Sequence, residues 1–289
     1  MPDQIQMLIE IALQEDVGTG DITTEALFGD QAIEKSGVIL AKQDLVIAGL
    51  EIAKRVFLTV DHHLTWQRYF EDGALVKKGQ KVAEISGRFD SILKGERVAL
   101  NFLQHLSGIA TLTRQFVEKV KKQPVKILDT RKTTPGMRAL EKHAVRVGGG
   151  KNHRLGLYDR FLIKDNHLEA VSISEAIRRA KEKNPNRVPI QIEVDAIEQI
   201  EEAINAGADI LLLDNFSPRE LKRVVKMVRD RVGARSPRPG GGTPPLRIEA
   251  SGGITLENVA DYAKTGVDFI SIGALTHSAR AVDLSLEID

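Results

Sequence analysis

The chain has 289 residues, 28% of them charged, with 41 Lys/Arg against 40 Asp/Glu and a formal net charge of +1. That balance excludes a disordered chain and argues against a general nucleic-acid binder, while the length allows one barrel-sized domain plus a smaller one. With no cysteine present, disulfides, thiolate metal sites and a cysteine nucleophile are all excluded.

Near the N-terminus Glu10, Glu15 and Asp16 interrupt the apolar positions, so no signal peptide is expected, and no apolar run reaches the length of a membrane span. The expectation is a soluble cytoplasmic protein. Asp3 can cap a first helix, with Gln6 at the capping-box position and Ile5, Leu8, Ile9, Ala12 and Leu13 as its apolar stripe. EDVGTGDITT, residues 15–24, reads as a loop. From Ser36 to Gly87, short strands such as GVILAK and KVAEIS flank a helical segment, Leu50 to Leu58, with turns at Asp72-Gly73 and Lys78-Gly79. EDGALVKKGQKVAEI resembles the hairpin of biotinyl and lipoyl carrier domains, but no matching second hairpin exists to carry a modified lysine, so it is read as architecture. His62-His63 beside Asp61 could pass for a metal pair. Adjacent strand residues point to opposite faces, which favours solvated turn histidines.

Leu93 to Lys122 follows the helical repeat, with Gly108 expected as a break or bend. Arg97, taken alone, is a surface charge on that helix. After Pro124 the rhythm becomes strand, polar loop, helix. Strands are expected at 125–128, 161–163, 190–194, 210–213, 246–250 and 269–272, and helices include 174–183, 197–205, 218–232 and 256–264. A further helix should begin with Pro135 at its first position. Successive parallel βα units imply an α/β fold, either a (β/α) barrel or an open doubly wound sheet. Six strands fall short of the eight that close a barrel. The Pro/Gly insert RSPRPGGGTPP, Arg235 to Pro245, is assigned no chemistry.

Charge is unevenly spread. From Lys126 to His167 there are ten Lys/Arg and four Asp/Glu, and burying cations unpaired costs several kcal/mol each on the order known for proteins. An anion should complete that region. The expected strands end in Arg131-Lys132, Lys164, Glu193 with Asp195, Asp214 with Asn215, Ser251-Gly252-Gly253 and Gly273-Ala274. In a barrel all of these share the C-terminal mouth, and glycines on the last two units offer N–H groups to a phosphate. Arg131, Lys132, His153, Arg154 and Lys164 would form a cationic half suited to carboxylates. Glu193 and Asp214 would form an acidic pair suited to Mg²⁺. A polyanionic acid meeting a Mg²⁺-bound sugar phosphate fits, as a transfer reaction. Two other readings stay open: Lys164 as a Schiff-base lysine whose pKa the neighbouring cations lower, and a non-catalytic barrel binding a phosphorylated effector.

EDVGTGDITT, ERVALNFLQHLSGIAT, DTRKTTPGMR, GGGKNHRLGLYD, IKDNH, IEVD, LLLDNF, SGGI and GALTHS together resemble the quinolinate phosphoribosyltransferase family, from residue 15 almost to the end. The resemblance implies an N-terminal α/β sandwich with a long linking helix (1–108) and an incomplete α/β barrel (109–289). It implies transfer of phosphoribosyl from 5-phosphoribosyl-1-pyrophosphate (PRPP) to quinolinate with decarboxylation, on the route to NAD. By the matching motifs, Arg131, His153 and Arg154 would hold the two carboxylates, with Thr130 and Lys132 beside them. Lys132 and Lys164 would meet PRPP phosphates, and Glu193 and Asp214 would engage ribose hydroxyls and Mg²⁺. Lys132, Lys164, Glu193 and Asp214 would be the catalytic group. Ser251, Gly252 and Gly253 with Ile272, Gly273 and Ala274 would take the 5′-phosphate. Arg97 would reach the neighbouring subunit's site, implying a homodimer at least. Nicotinate phosphoribosyltransferase, which shares the architecture, and paralogues from molybdate-transport operons remain as alternatives.

Overall fold

The computed structural model describes residues 3–29, 31–233 and 246–289; the Arg235 to Pro245 insert lies outside them. The described strands are β1 (Glu34–Ala41), β2 (Leu45–Val46), β3 (Thr65–Arg68), β4 (Leu75–Val76), β5 (Lys81–Arg88), β6 (Lys126–Leu128), β7 (Phe161–Ile163), β8 (Ile190–Val194), β9 (Ile210–Asp214), β10 (Arg247–Ser251), β11 (Phe269–Ser271) and β12 (Leu284–Ile288). They belong to two compact units. The first comprises residues 1–114, 134–149 and 278–289, and the second residues 115–133 and 150–277. The expected boundary at 108/109 follows the chain linearly, whereas packing returns two later segments to the first unit.

In the first unit, an antiparallel sheet runs β12-β1-β5-β3, and β2 pairs separately with β4. Buried Ile39, Phe57, Ile85, Ile92, Leu103 and Leu106 form its core. The last strand, β12, was not legible in sequence: it exists because β1 offers it an edge, with Gly37 opposite Ile288 and Ala41 opposite Leu284. Several local expectations change here. Asp3 does cap the first helix, accepting from Ile5 N, but the Gln6 amide donates to Glu10 and Thr59 instead of completing a capping box. Residues 15–24 form no open loop, because Asp21 caps a second helix, Ile22–Phe28, through Thr23 N and Thr24 N. The carrier-like piece is not a self-paired hairpin, since β4 pairs with β2 while β5 lies between β1 and β3. Pro135 precedes a helix, Arg138–Val147, rather than opening it.

Gly108 does not break the long helix, which continues from Phe89 to Val120. Its role is space. A Cβ there would lie 2.2 Å from the Arg280 carbonyl oxygen and 3.1 Å from Ala281 Cα, so the glycine lets the returning chain touch the helix backbone.

The second unit holds six parallel strands in the order β6-β11-β10-β9-β8-β7. Runs such as Ile190-Gln-Ile-Glu-Val and Ile210-Leu-Leu-Leu-Asp bury nearly every position, as strands covered on both faces do. Helices follow the strands, among them Ile173–Glu182, Ile197–Ala206 and Pro218–Gly233. β6 and β7 do not pair with each other, leaving an incomplete barrel, and Leu128 makes a single bridge to Lys151 at the β6 edge.

Candidate active site

In a parallel sheet every strand delivers its C-terminal end to the same rim, and alternate residues share a face. Here the register sets Ser251 beside Asp214 and Ser271 beside Leu128. Lys164, Glu193, Asp214 and Ser251 stand at or just past the ends of their strands, and two residues earlier on the same strands come Leu162, Gln191, Leu212 and Glu249, with Glu193 level with Leu212 across the β8–β9 pair. A cavity of about 690 Å³ opens on this rim. Its lining includes Thr130, Arg131, Lys132, His153, Arg154, Lys164, Glu193, Asp214, Ser251, Gly252, Gly253, Ile272, Gly273 and Ala274. All the site residues expected from sequence are there except Arg97, which is exposed on the Phe89–Val120 helix of the first unit.

The cationic side is held by its backbone. Asp129 is fully buried at the end of β6; its carboxylate accepts from Asn152 Nδ2 and from His153 N at 2.8 Å. Arg154 is only 7% exposed, and its Nη1 donates to the Arg160 carbonyl at 3.4 Å. Burial, and then the charge of Arg131, lower its pKa from the ordinary arginine value. The nearby carboxylate of Asp159 acts the other way but does not offset them. His153 lines the cavity, but both ring nitrogens have protein partners: Nδ1 accepts from Arg154 N at 2.8 Å, and Nε2 lies 3.0 Å from Gln191 Oε1.

Lys164 does not stand among cations alone. Its Nζ donates to Glu193 Oε2 at 2.8 Å, so the expected crowding is answered by a carboxylate. Asp214 Oδ2 accepts from Asn215 Nδ2 at 2.7 Å. Each carboxylate thus has one oxygen engaged by a neighbour in these bonds. Two carboxylates on paired strands form an oxygen donor set too small to cage an ion but suited to Mg²⁺ carried largely by water and phosphate oxygens.

On the third side, Gly252 has φ +94° and Gly253 φ +59°. Backbone N–H groups of Gly252, Gly253, Gly273 and Ala274 donate to no protein acceptor among the described residues. Ile272 differs, since its N–H donates to the Leu128 carbonyl at 2.9 Å.

Sequence reasoning missed Glu249, Ser271, Thr255 and His277 in the lining, and Gln191 beneath it. A signal existed for two of them. Gln191 and Glu249 are polar residues two positions before Glu193 and Ser251 in otherwise apolar strands. The other candidate ligand group is Asp61, His62 and His63 in the first unit, the only such group found among the described residues. They sit in a turn, not on a strand, and the two imidazoles face each other with centroids 3.9 Å apart. Asp61 is occupied by His63 N and Ser91 Oγ, and both histidines are exposed, as solvated turn residues are.

Residues 21–107 match the N-terminal domain, and residues 109–287 the C-terminal domain, of quinolinate phosphoribosyl transferase. The chain belongs to the quinolinate phosphoribosyltransferase family. Over 286 residues it is 43% identical to the probable nicotinate-nucleotide pyrophosphorylase (carboxylating) of Bacillus subtilis, covering 99% of this chain and 93% of that one. The Mycobacterium leprae nicotinate-nucleotide pyrophosphorylase (carboxylating) is 40% identical, covering 99% and 98%. Among solved structures, the nicotinate-nucleotide pyrophosphorylase of Francisella tularensis superposes with a TM-score of 0.90 at 36% identity, covering 99% of this chain and 96% of that one. Human nicotinic acid phosphoribosyltransferase, with a TM-score of 0.61 at 12% identity, shares the fold alone.

Proposed function

We propose that this family member transfers the phosphoribosyl group of PRPP to quinolinate with loss of CO₂, giving nicotinate mononucleotide and pyrophosphate. One observation carries the reading at the level of the site. A single cavity combines two arginines in mutual repulsion, two carboxylates on adjacent strands and four unengaged backbone N–H groups, which are the counterparts of a dianion, a ribose and a phosphate.

In this reading Arg131 and Arg154 bind the two carboxylates of quinolinate, whose charge relieves the repulsion between them. Lys132 and Lys164 meet the phosphates of PRPP. As pyrophosphate leaves, positive charge develops on the ribose, and the carboxylates of Glu193 and Asp214 stabilise it. The pyridine nitrogen bonds to the ribose carbon and becomes cationic. The bond from the adjacent ring carbon to its carboxylate then breaks, CO₂ departs, and the electron pair stays on that carbon beside the charged nitrogen until a proton arrives. Glu193 and Asp214 would hold Mg²⁺, which supplies charge neutralisation to the leaving pyrophosphate. Gly252, Gly253, Gly273 and Ala274 hold the 5′-phosphate with Ser251, and Arg97 completes the site of a second copy in a homodimer.

The test is turnover with quinolinate against nicotinate, with CO₂ and pyrophosphate both measured. Stoichiometric CO₂ with quinolinate and little product with nicotinate is the expected result; preference for nicotinate, or borohydride trapping of a substrate adduct on Lys164, sinks the reading. For the shared site, mixing inactive Arg97→Ala and Lys132→Ala chains should restore some activity, and none in verified mixed dimers refutes it.

A further inference from the structure

Beneath the cationic side of the cavity lies a run of buried polar groups that substrate binding does not account for. Glu249 and Gln191 are both fully buried, and Ser271 is 5% exposed. Gln191 Nε2 donates to Glu249 Oε2 at 2.9 Å, Ser271 Oγ bonds Glu249 Oε1, and His153 Nε2 lies 3.5 Å from that same oxygen. Placing a carboxyl group here is costly unless it organises something.

The donor and acceptor count shows what it organises. Arg154 N is a backbone donor, so His153 Nδ1 must be the acceptor, and a neutral imidazole then carries its proton on Nε2. That proton needs an acceptor, and Gln191 supplies Oε1 at 3.0 Å. An amide can be turned end for end, however, and the turned form would bring N–H against N–H. Glu249, accepting from Gln191 Nε2, makes the productive orientation the favoured one. The run is directional, from the Arg154 backbone through His153 and Gln191 to Glu249.

We infer that Glu249 is a positioning residue: through Gln191 it holds the His153 ring in one tautomer, and through that ring the backbone of Arg154 on the carboxylate-binding side of the cavity. The inference rests on the quinolinate reading of the site. Burial pushes the Glu249 carboxyl above its ordinary value, against the Ser271 and Gln191 bonds.

The test compares wild type with Glu249→Gln and Glu249→Leu. Glutamine offers Gln191 the same acceptor oxygen and Ser271 an amide, so KM for both substrates should stay within about twofold of wild type. Leucine removes the acceptor, and KM for quinolinate should rise about tenfold or more, as expected when a charged contact is misplaced, while KM for PRPP stays within about twofold. Nitrogen NMR of ¹⁵N-histidine-labelled protein, with the His153 signals assigned by substitution, should show the Nε2–H tautomer in wild type and Glu249→Gln and a mixture in Glu249→Leu. Should the leucine variant fail to fold, Gln191→Met is put to the same measurements and should give the same split. Equal changes in both KM values, a glutamine variant as impaired as the leucine one, or an unchanged His153 tautomer on losing the acceptor overturns the inference. A wild type inactive on quinolinate refutes the functional reading instead, and the NMR comparison still decides the hydrogen-bond assignment.

Discussion

Gly252 and Gly253 both occupy the left-handed region, with φ +94° and +59°, yet alanine should be tolerated very differently at the two positions. At Gly253 a new Cβ meets nothing within 4 Å, so the cost is the backbone term alone, about 1–2 kcal/mol for an L-residue in that region. At Gly252 the Cβ would sit 2.2 Å from Asn215 Oδ1 and 2.8 Å from Asn215 N. A side-chain oxygen can swing away, but a backbone nitrogen cannot, and this one donates to the Ser251 carbonyl at 2.9 Å. Overpacking of this kind adds about 1–3 kcal/mol, giving Gly252→Ala a total of about 2–5 kcal/mol. The displaced Asn215 also carries Asp214 through its 2.7 Å bond. Misplacing a group near the chemistry by about 1 Å can cost about a hundredfold, so kcat/KM should fall by tens-fold or more. Urea unfolding of both variants and steady-state kinetics of Gly252→Ala are the assays. Equal stability losses at the two positions would show that the Asn215 contact does not constrain this turn.

Arg131→Ala and Lys164→Ala should each abolish turnover while shifting the unfolding midpoint little, because the Lys164–Glu193 pair is partly exposed and worth at most about 1 kcal/mol. Arg154→Met should leave stability equal or higher, since burial and Arg131 both disfavour the guanidinium charge, and should raise KM for quinolinate about 10- to 150-fold, the worth of one charged hydrogen bond; a loss of stability refutes it. Gly108→Ala should destabilise, as the overlap with the Arg280 carbonyl outweighs the gain of about 1 kcal/mol that alanine brings to a helix interior. A stabilised variant in thermal unfolding contradicts that packing. Asp72 accepts from Gly49 N and Leu50 N at the start of the Leu50–Val60 helix and from His143. Burial pulls its pKa up, but these bonds together outweigh it and leave it lowered. Its contribution to stability is therefore present above the unfolded-state value of about pH 4 and lost as pH falls through the folded one. Asp72→Asn should flatten the acid limb of stability against pH; an unchanged slope refutes the assignment.

The second unit was legible because its strands are short, mostly apolar and separated by segments of helical period, the pattern of a parallel sheet covered on both faces. The strand at Phe161 to Ile163 was found to the residue. The first unit was harder. β12 has no partner near it in sequence and forms on the edge of β1 some 250 residues earlier. Asp21 was submerged in a glycine-rich stretch and turns out to begin a helix. Gly108 was misread for a physical reason: propensity sees the missing side chain as a weakness of the helix, while the need for it comes from Arg280 and Ala281, which no local rule can bring to mind.

The site divides along the same line. Groups at strand ends announced themselves because charge is out of place in an apolar run, and that is how Lys164, Glu193 and Asp214 were found. Gln191 and Glu249 lie inside the strands, where a polar residue reads as a defect. Yet side chains alternate with period two, so a polar residue two places before a site residue faces the same cavity, one layer deeper. It is buried, it must find partners, and the nearest are its counterparts on neighbouring strands. Gln191 bonding Glu249, and Glu249 bonding Ser271, is that necessity realised. The cavity residues at the strand ends and the buried polar residues beneath them are thus written at a spacing of two in the strands ending at Val194 and Ser251, and once a parallel barrel is recognised, the second can be looked for from the first.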